Sequence, residues 1–298
     1  MTKKNRLRRS MLFASAQRPG LIKDAYIYGC DSVIFDLEDA VAENQKDAAR
    51  FSLYHALRSI DYRGCERIVR INAIDTPHWR EDVRVSVAGG ADGIRIAKCE
   101  SAADAKAVDE AITKAEAEFG RETGSILMMA ALESPTAILN TLEICKSSPR
   151  MFGVAISGGD FRKSMQTKYY ISGNDMFGGR SMMLLAARSA GVQCFDTVFT
   201  DLDDLEGFRT EAIIAKEMGF DGKSVVSPRQ IQILHEVFAP TEKEIIVAER
   251  VVRAIRENTT KGIGIFSLDG QMLDIAHLPG AERIIELAKA SGLYKGDL

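Results

Sequence analysis

Short apolar runs recur along the chain, each followed by a stretch whose apolar residues fall three and four positions apart. Eight runs have strand length and β-branched character: Ser10–Ala16, Ser32–Glu38, Ile68–Ala73, Gly93–Cys99, Leu127–Ser134, Met151–Gly158, Cys194–Thr200 and Gly222–Pro228. The spacing between them is helical. In Asp104–Phe119, for example, Ala105, Val108, Ile112, Ala115 and Phe119 share one side and charges the other; Leu205–Met218 and Thr241–Asn258 read the same way. Strand and helix thus alternate, with no Pro/Ser-rich linker, low-complexity tract or further repeat. Eight strand–helix units in 298 residues predict an α/β fold of the (β/α)8 TIM-barrel type. A doubly wound open sheet is the alternative, but no GxGxxG follows the first strand, which removes the main sign of a dinucleotide fold. After residue 258 the alternation stops. GIGIFSLDGQMLDIAH gives a Gly-rich turn, a short apolar run and an Asp, before a last helix over Gly280–Ser291. Residues 1–258 are therefore assigned to the barrel. Residues 259–298 form a C-terminal extension of the same domain, expected to cover the barrel mouth or reach a neighbouring subunit.

In such barrels the chemistry collects where strands end. From Leu127 to Asp160, two apolar runs each finish in a carboxylate, Glu133 and Asp160, with one helix's worth of chain between them. Parallel strands joined by a crossover helix lie side by side with their C-terminal ends together, so both acids are expected to face one pocket. Two hard oxygen ligands with little else from the protein suit Mg²⁺, which keeps waters and takes its remaining ligands from substrate. The alternative is that each acid merely starts the next helix, a task for which Asp160 and Ser134 are both competent. Strand two runs into Asp36-Leu37-Glu38-Asp39. Alternation puts Asp36 and Glu38 on the same side, and a buried strand would not bear the desolvation of acids without a role. Arg70, inside strand three, needs an anionic partner, either a protein carboxylate or a substrate carboxylate held bidentately. Strand four adds Arg95 and Lys98.

Other motifs carry less. Gly222-Lys223-Ser224 looks like the end of a phosphate loop, but the upstream glycines are absent. The four histidines (His55, His78, His235, His277) have no ligand spacing, and His55 and His235 fall in helical patterns and read as structural. A divalent metal, a carboxylate-binding arginine, several acids and no Cys or His nucleophile together point to a Mg²⁺-dependent lyase or aldolase. It would act on an anionic substrate through a metal-stabilised enolate or keto acid.

Composition narrows the setting. With 46% apolar residues the chain can bury a large core, and a net charge of −3 gives no electrostatic reason to expect nucleic acid or a membrane surface. Five scattered cysteines, odd in number and without a CxxC pair, argue against disulfides and structural zinc and for a reducing, cytoplasmic compartment. Cys99, Cys145 and Cys194 read as small packed hydrophobes. The basic start, MTKKNRLRRS, reads as a solvated arm, because the MLFASA that follows is too short for a signal-peptide core or a membrane span.

Several stretches together (RRSMLF, DSVIFDLEDAV, VRIN, AALES, GFDGKSVVSPRQI, APTEKEI and GQMLD) resemble the beta chains of citrate lyase, within the wider family of citrate-lyase-like and HpcH/HpaI-type aldolases. The resemblance runs from about Arg8 to Tyr294. It implies a TIM barrel assembled as a homotrimer or larger (a hexamer), binding Mg²⁺ (or Mn²⁺) and cleaving a citryl or related 3-hydroxyacyl thioester carried on CoA or a phosphopantetheine-type carrier. Its metal carboxylates fall on Glu133 and Asp160 and its substrate-carboxylate arginine on Arg70. Its acidic cluster falls on Asp36, Glu38 and Asp39, and its catalytic acid, offered across a subunit boundary, on Asp274. Lys98 is counted with the substrate-binding residues and Glu38 is the candidate base. The implied products are oxaloacetate and an acetyl thioester, with acyl-carrier and transferase subunits as partners. A stand-alone malyl- or citramalyl-CoA lyase or synthase is the second reading; a non-catalytic scaffold or binding subunit is the third. The pattern departs from the family at Gly159, Ser164, Ser227 and the first loop, ASAQRPG, all placed around the substrate mouth.

Overall fold

The computed structural model describes Lys4 and residues 6–298. Part of the basic arm, residues 1–3 and 5, lies outside that range. The chain divides into two compact units, Met1–Val237 and Phe238–Leu298.

In the first unit, eight parallel strands close into a barrel in chain order, β1 through β8, with β8 pairing back onto β1. They are β1 (Ser10–Ser15), β2 (Ser32–Asp36), β3 (Glu66–Ile71), β4 (Gly93–Ile96), β5 (Leu127–Leu132), β6 (Met151–Ile156), β7 (Gln193–Asp196) and β8 (Gly222–Val225). Helices α1 (Pro19–Asp24), α2 (Lys46–Ser59), α3 (Trp79–Gly89) and α4 (Ala102–Glu118) follow the first four strands. Two short helices, α5 (Pro135–Leu139) and α6 (Thr141–Lys146), replace the single helix expected between β5 and β6. Then come α7 (Gly158–Ser164), α8 (Asn174–Ala190), α9 (Leu205–Met218) and α10 (Arg229–Phe238).

All eight expected runs are strands, and each stops one to four residues short of its expected C-terminal end. Helix α4 starts at Ala102 rather than Asp104. Ser101 accepts the Asp104 N–H while the Asp104 carboxylate takes the Ser101 N–H, a reciprocal cap that satisfies two orphan donors.

Inside the barrel, Met11, Ile34, Ile68, Leu127, Met129, Phe152 and Phe195 form a contiguous core, with Phe13 packed against it. Gly153 makes room for it: a Cβ there would come within 2.7 Å of the Phe195 ring. The end where the strands begin is closed by charge. Arg8, expected on a solvated arm, is fully buried; its guanidinium pairs with Glu66 at 2.6 Å and lies over the Phe152 ring. Arg9 is held by Asp31. An arginine can sit in that apolar setting because its fork matches a buried carboxylate bidentately.

The second unit holds α11 (Glu242–Thr260), an antiparallel ribbon of β9 (Ile265–Leu268) and β10 (Gln271–Asp274), and α12 (Leu278–Ala290). Ala248 and Val252 of α11 pack on Ala281 and Ile285 of α12. That shared core groups α11 with the C-terminal unit, so the unit begins at Phe238 rather than at residue 259.

Candidate active site

Two residues beyond the Ile34–Ile68–Gly93 level, the strands place Asp36, Arg70 and Arg95 in register on β2, β3 and β4. A two-residue step keeps the same face, so these charges stand on the apolar plug. Arg70 donates from Nε and Nη2 to both Asp36 oxygens, at 2.8 and 2.5 Å, and its Nη1 lies 3.0 Å from Glu38. Its fork thus meets protein carboxylates, one of the two kinds of partner the sequence leaves open for Arg70. Burial alone would depress the guanidinium, but Asp36 overcomes it and holds the charge firmly. Asp36 also accepts the N–H groups of Glu38 and Ala40, which fold the acidic turn back over the strand end.

Lys98 reaches across from β4 to Glu38 at 2.6 Å and to Asp39 at 3.3 Å. Burial opposes its charge, yet Glu38 raises the ammonium above its usual range. Its backbone has φ of 49°, a left-handed conformation that costs a non-glycine residue energy. In that conformation the Lys98 N–H approaches Glu133 Oε1 at 3.4 Å. Glu133 itself is buried, and its carboxyl is pushed up to about 7 by burial and then by the charge of Glu38, against the pull of Arg70 and Arg95.

Glu133 and Asp160 line one cavity of about 680 Å³, together with Lys98 and Lys163. Neither is the last residue of a strand: β5 ends at Leu132 and β6 at Ile156, so Asp160 rides the first turn of α7. Neither caps a helix. Ser134 caps α5, and Ser157 precedes α7. Among the described residues no protein group bonds the Asp160 carboxylate. No group of three or more His, Cys, Asp or Glu there is arranged to hold a metal. Two carboxylates with open lone pairs fit Mg²⁺, which completes its octahedron with water and substrate, and do not fit a structural zinc, which wants a closed nitrogen and sulfur shell.

Asp160 also borders a second cavity of about 280 Å³, shared with Asp36, Arg70, Arg95, Ser157 and Ser224. The sequence places Arg95 with Lys98 at the end of strand four but gives it no role. The signal that could have raised it is the same as for Arg70, a charge in an apolar strand. Asp274, the expected acid of the tail, ends β10 in the second unit. It accepts the Ala276 N–H at 3.0 Å and contacts His277 Nδ1 at 2.8 Å. Lys223, of the phosphate-loop-like triplet, is fully buried in an ion pair with Asp196. His235 bonds Ser10 Oγ, as a structural histidine should. All five cysteines are free thiols, and Cys99, Cys145 and Cys194 are buried.

A closed parallel barrel with an open carboxylate pair beside an arginine–acid cluster defines a barrel of the lyase and aldolase class. The chain belongs to the HpcH/HpaI aldolase/citrate lyase family, whose model matches residues 9–228. It is 46% identical over 292 residues to the citrate lyase subunit beta of Leuconostoc mesenteroides subsp. cremoris, covering 98% of this chain and 97% of that one. It is 33% identical over 286 residues to a (3S)-malyl-CoA thioesterase of Cereibacter sphaeroides, covering 96% of each. Among solved structures, CitE from Mycobacterium tuberculosis in complex with magnesium, acetoacetate and coenzyme A superposes with a TM-score of 0.75 at 28% identity, covering 95% of this chain and 98% of that one.

Proposed function

We propose that the protein is the beta subunit of a citrate lyase, cleaving a citryl thioester to oxaloacetate and an acetyl thioester. The observation that carries this reading is the open pair, Glu133 and Asp160, on one cavity. The 46% identity to a citrate lyase subunit beta supports the substrate, and the magnesium in the CitE complex supports the metal. Glu133 and Asp160 would hold Mg²⁺, which when bound supplies Lewis-acid polarisation of the substrate's hydroxyl and carboxylate oxygens.

The chain's own residues do the rest. Arg70, fixed by Asp36, presents positive charge to the substrate carboxylate, and Lys98 with Asp39 holds Glu38 in place. Glu38, whose Oε2 lies 3.0 Å from Arg70 Nη1 without a hydrogen bond, is the candidate acceptor of the hydroxyl proton. Loss of that proton turns the hydroxyl carbon into a ketone, and the carbon–carbon bond breaks with its electron pair passing to the thioester enolate. The enolate carbon then takes a proton from Asp274 in its acid form, offered by the C-terminal unit of a neighbouring copy in a homotrimer or hexamer. The thioester rides on CoA or on an acyl-carrier subunit that a transferase subunit charges. Among the described residues no helix is long and apolar enough to cross a membrane, and the free thiols support a cytoplasmic setting.

The second reading is a stand-alone malyl- or citramalyl-CoA enzyme, favoured by the identity to the (3S)-malyl-CoA thioesterase. Purified protein with Mg²⁺ and a panel of acyl-CoA esters separates the two. Oxaloacetate release from citryl-CoA is expected; turnover of malyl-CoA with none of citryl-CoA overturns the first reading.

A further inference from the structure

Five arginines in the structure are buried: Arg8, Arg50, Arg95, Arg150 and Arg180. Four of them are answered by carboxylates at 2.6 to 2.8 Å, namely Glu66, Asp82, Glu116 and Asp196. Among the described residues Arg95 is answered by none within 4 Å. It is 2% exposed, and its best contacts are two long ones to neutral hydroxyls, Ser224 Oγ at 3.3 Å and Ser157 Oγ at 3.4 Å. Its Nε has no hydrogen-bond partner. The Phe13 ring lies 5.2 Å below its guanidinium and is shared with Arg70. Asp36, Glu38 and Glu133 reach Arg95 only as longer-range charges, and burial together with the charge of Arg70 brings it down to about 10.

A buried guanidinium without an anion is costly, and this one sits on the wall of the 280 Å³ cavity that Asp160 also borders. We infer that Arg95, with the Ser157 and Ser224 hydroxyls, forms a subsite for a second substrate carboxylate, apart from the one beside the reacting hydroxyl. The inference rests on the acyl-thioester reading and deepens it. A citryl group differs from a malyl group by one CH₂–COO⁻ arm on the hydroxyl carbon, and so does oxaloacetate from glyoxylate. A fork of N–H donors flanked by two hydroxyls matches a carboxylate in shape and charge. Phe13 and Ile156 on the same cavity suit the methylene. Arg95 thereby selects the longer, dicarboxylic oxo acid, and the group that fills the subsite completes the partner set the fold leaves open.

Calorimetric titration of the full chain in Mg²⁺ with oxaloacetate and with glyoxylate tests this, comparing wild type with Arg95→Met and Arg95→Lys. Wild type is expected to prefer oxaloacetate. Arg95→Met should lose about 10- to 100-fold in oxaloacetate affinity while glyoxylate affinity stays within about threefold, and Arg95→Lys should fall between. Melting temperature should hold or rise in Arg95→Met, since an apolar replacement removes an unpaired buried charge. Equal losses for both ligands, no loss for either, or a lowered melting temperature shared by both variants with ligand preference intact each overturn the subsite. A wild type that prefers oxaloacetate but does not cleave citryl thioester breaks the proposed function and leaves the subsite standing. A wild type that binds neither oxo acid overturns both.

Discussion

Two charge clusters in the barrel are built from the same residue types and end differently. Behind β7 and β8, Asp196, Lys223, Arg180 and Glu211 close on one another: Lys223 bonds Asp196 at 2.6 Å, and Arg180 grips it bidentately at 2.8 and 2.9 Å. Burial would raise the Asp196 carboxyl, but Lys223 and Arg180 overcome it and hold it at about 2. At the mouth, Asp36, Glu38, Asp39, Arg70 and Lys98 pair among themselves, yet Glu133, Asp160 and Arg95 are left over. Burial there, helped by the charge of Glu38, outweighs Arg70 and Arg95, and Glu133 is pushed up to about 7. A fold that saturates one cluster and leaves three charges open in another stores binding capacity in the second. Saturation is a structural arrangement; incompleteness is a site.

Variants at the open cluster should therefore cost activity and those at the closed one stability. The largest effect is expected for Glu133→Gln and Asp160→Asn, each lowering citryl thioester turnover by about a thousandfold or more with the melting temperature kept. Full turnover in either would remove that residue from the site. Asp274→Asn should cost about 10² to 10⁴ in turnover with substrate affinity retained; a large loss of affinity instead would make Asp274 a binding group.

Lys223→Met, in the closed cluster, should destabilise the fold by about 3 to 5 kcal/mol in urea unfolding, while the folded fraction turns over substrate as wild type does. If it instead lost turnover at unchanged stability, the division between the clusters would be wrong. Smallest is Gly159→Glu, beside the open pair. A Cβ at Gly159 meets nothing within 4 Å, so stability should stay within about 0.5 kcal/mol. Added negative charge should raise KM for the anionic substrate a few-fold, as steady-state kinetics would show.

The barrel was legible because every strand is a short apolar run and every long helix carries a three-and-four periodicity. The placing of Glu133 and Asp160 on one cavity was legible because each acid comes within a few residues of an apolar run's end. Three things were not. Asp160 sits in α7 rather than at a strand end because the β6 ladder stops at Ile156 and α7 begins two residues later, at Gly158. Arg8 was read as solvated because its partner, Glu66, is 58 residues away, a separation no local pattern bridges. The roles of Arg70 and Arg95 depend on which carboxylates the register brings opposite, and alternation gives a side chain's face but not its partner.

The most direct test of the open pair is Mg²⁺ titration of the metal-free protein by calorimetry across pH, in buffers of different ionisation enthalpy. Mg²⁺ favours ionised Glu133, whose carboxyl stands near 7 in its absence. Affinity should therefore rise with pH up to about 7 and level off above it, with close to one proton released per site at low pH and none well above 8. One site per chain is expected, abolished in Glu133→Gln and in Asp160→Asn. Mg²⁺ binding that persists unchanged in both variants would contradict the account at its centre.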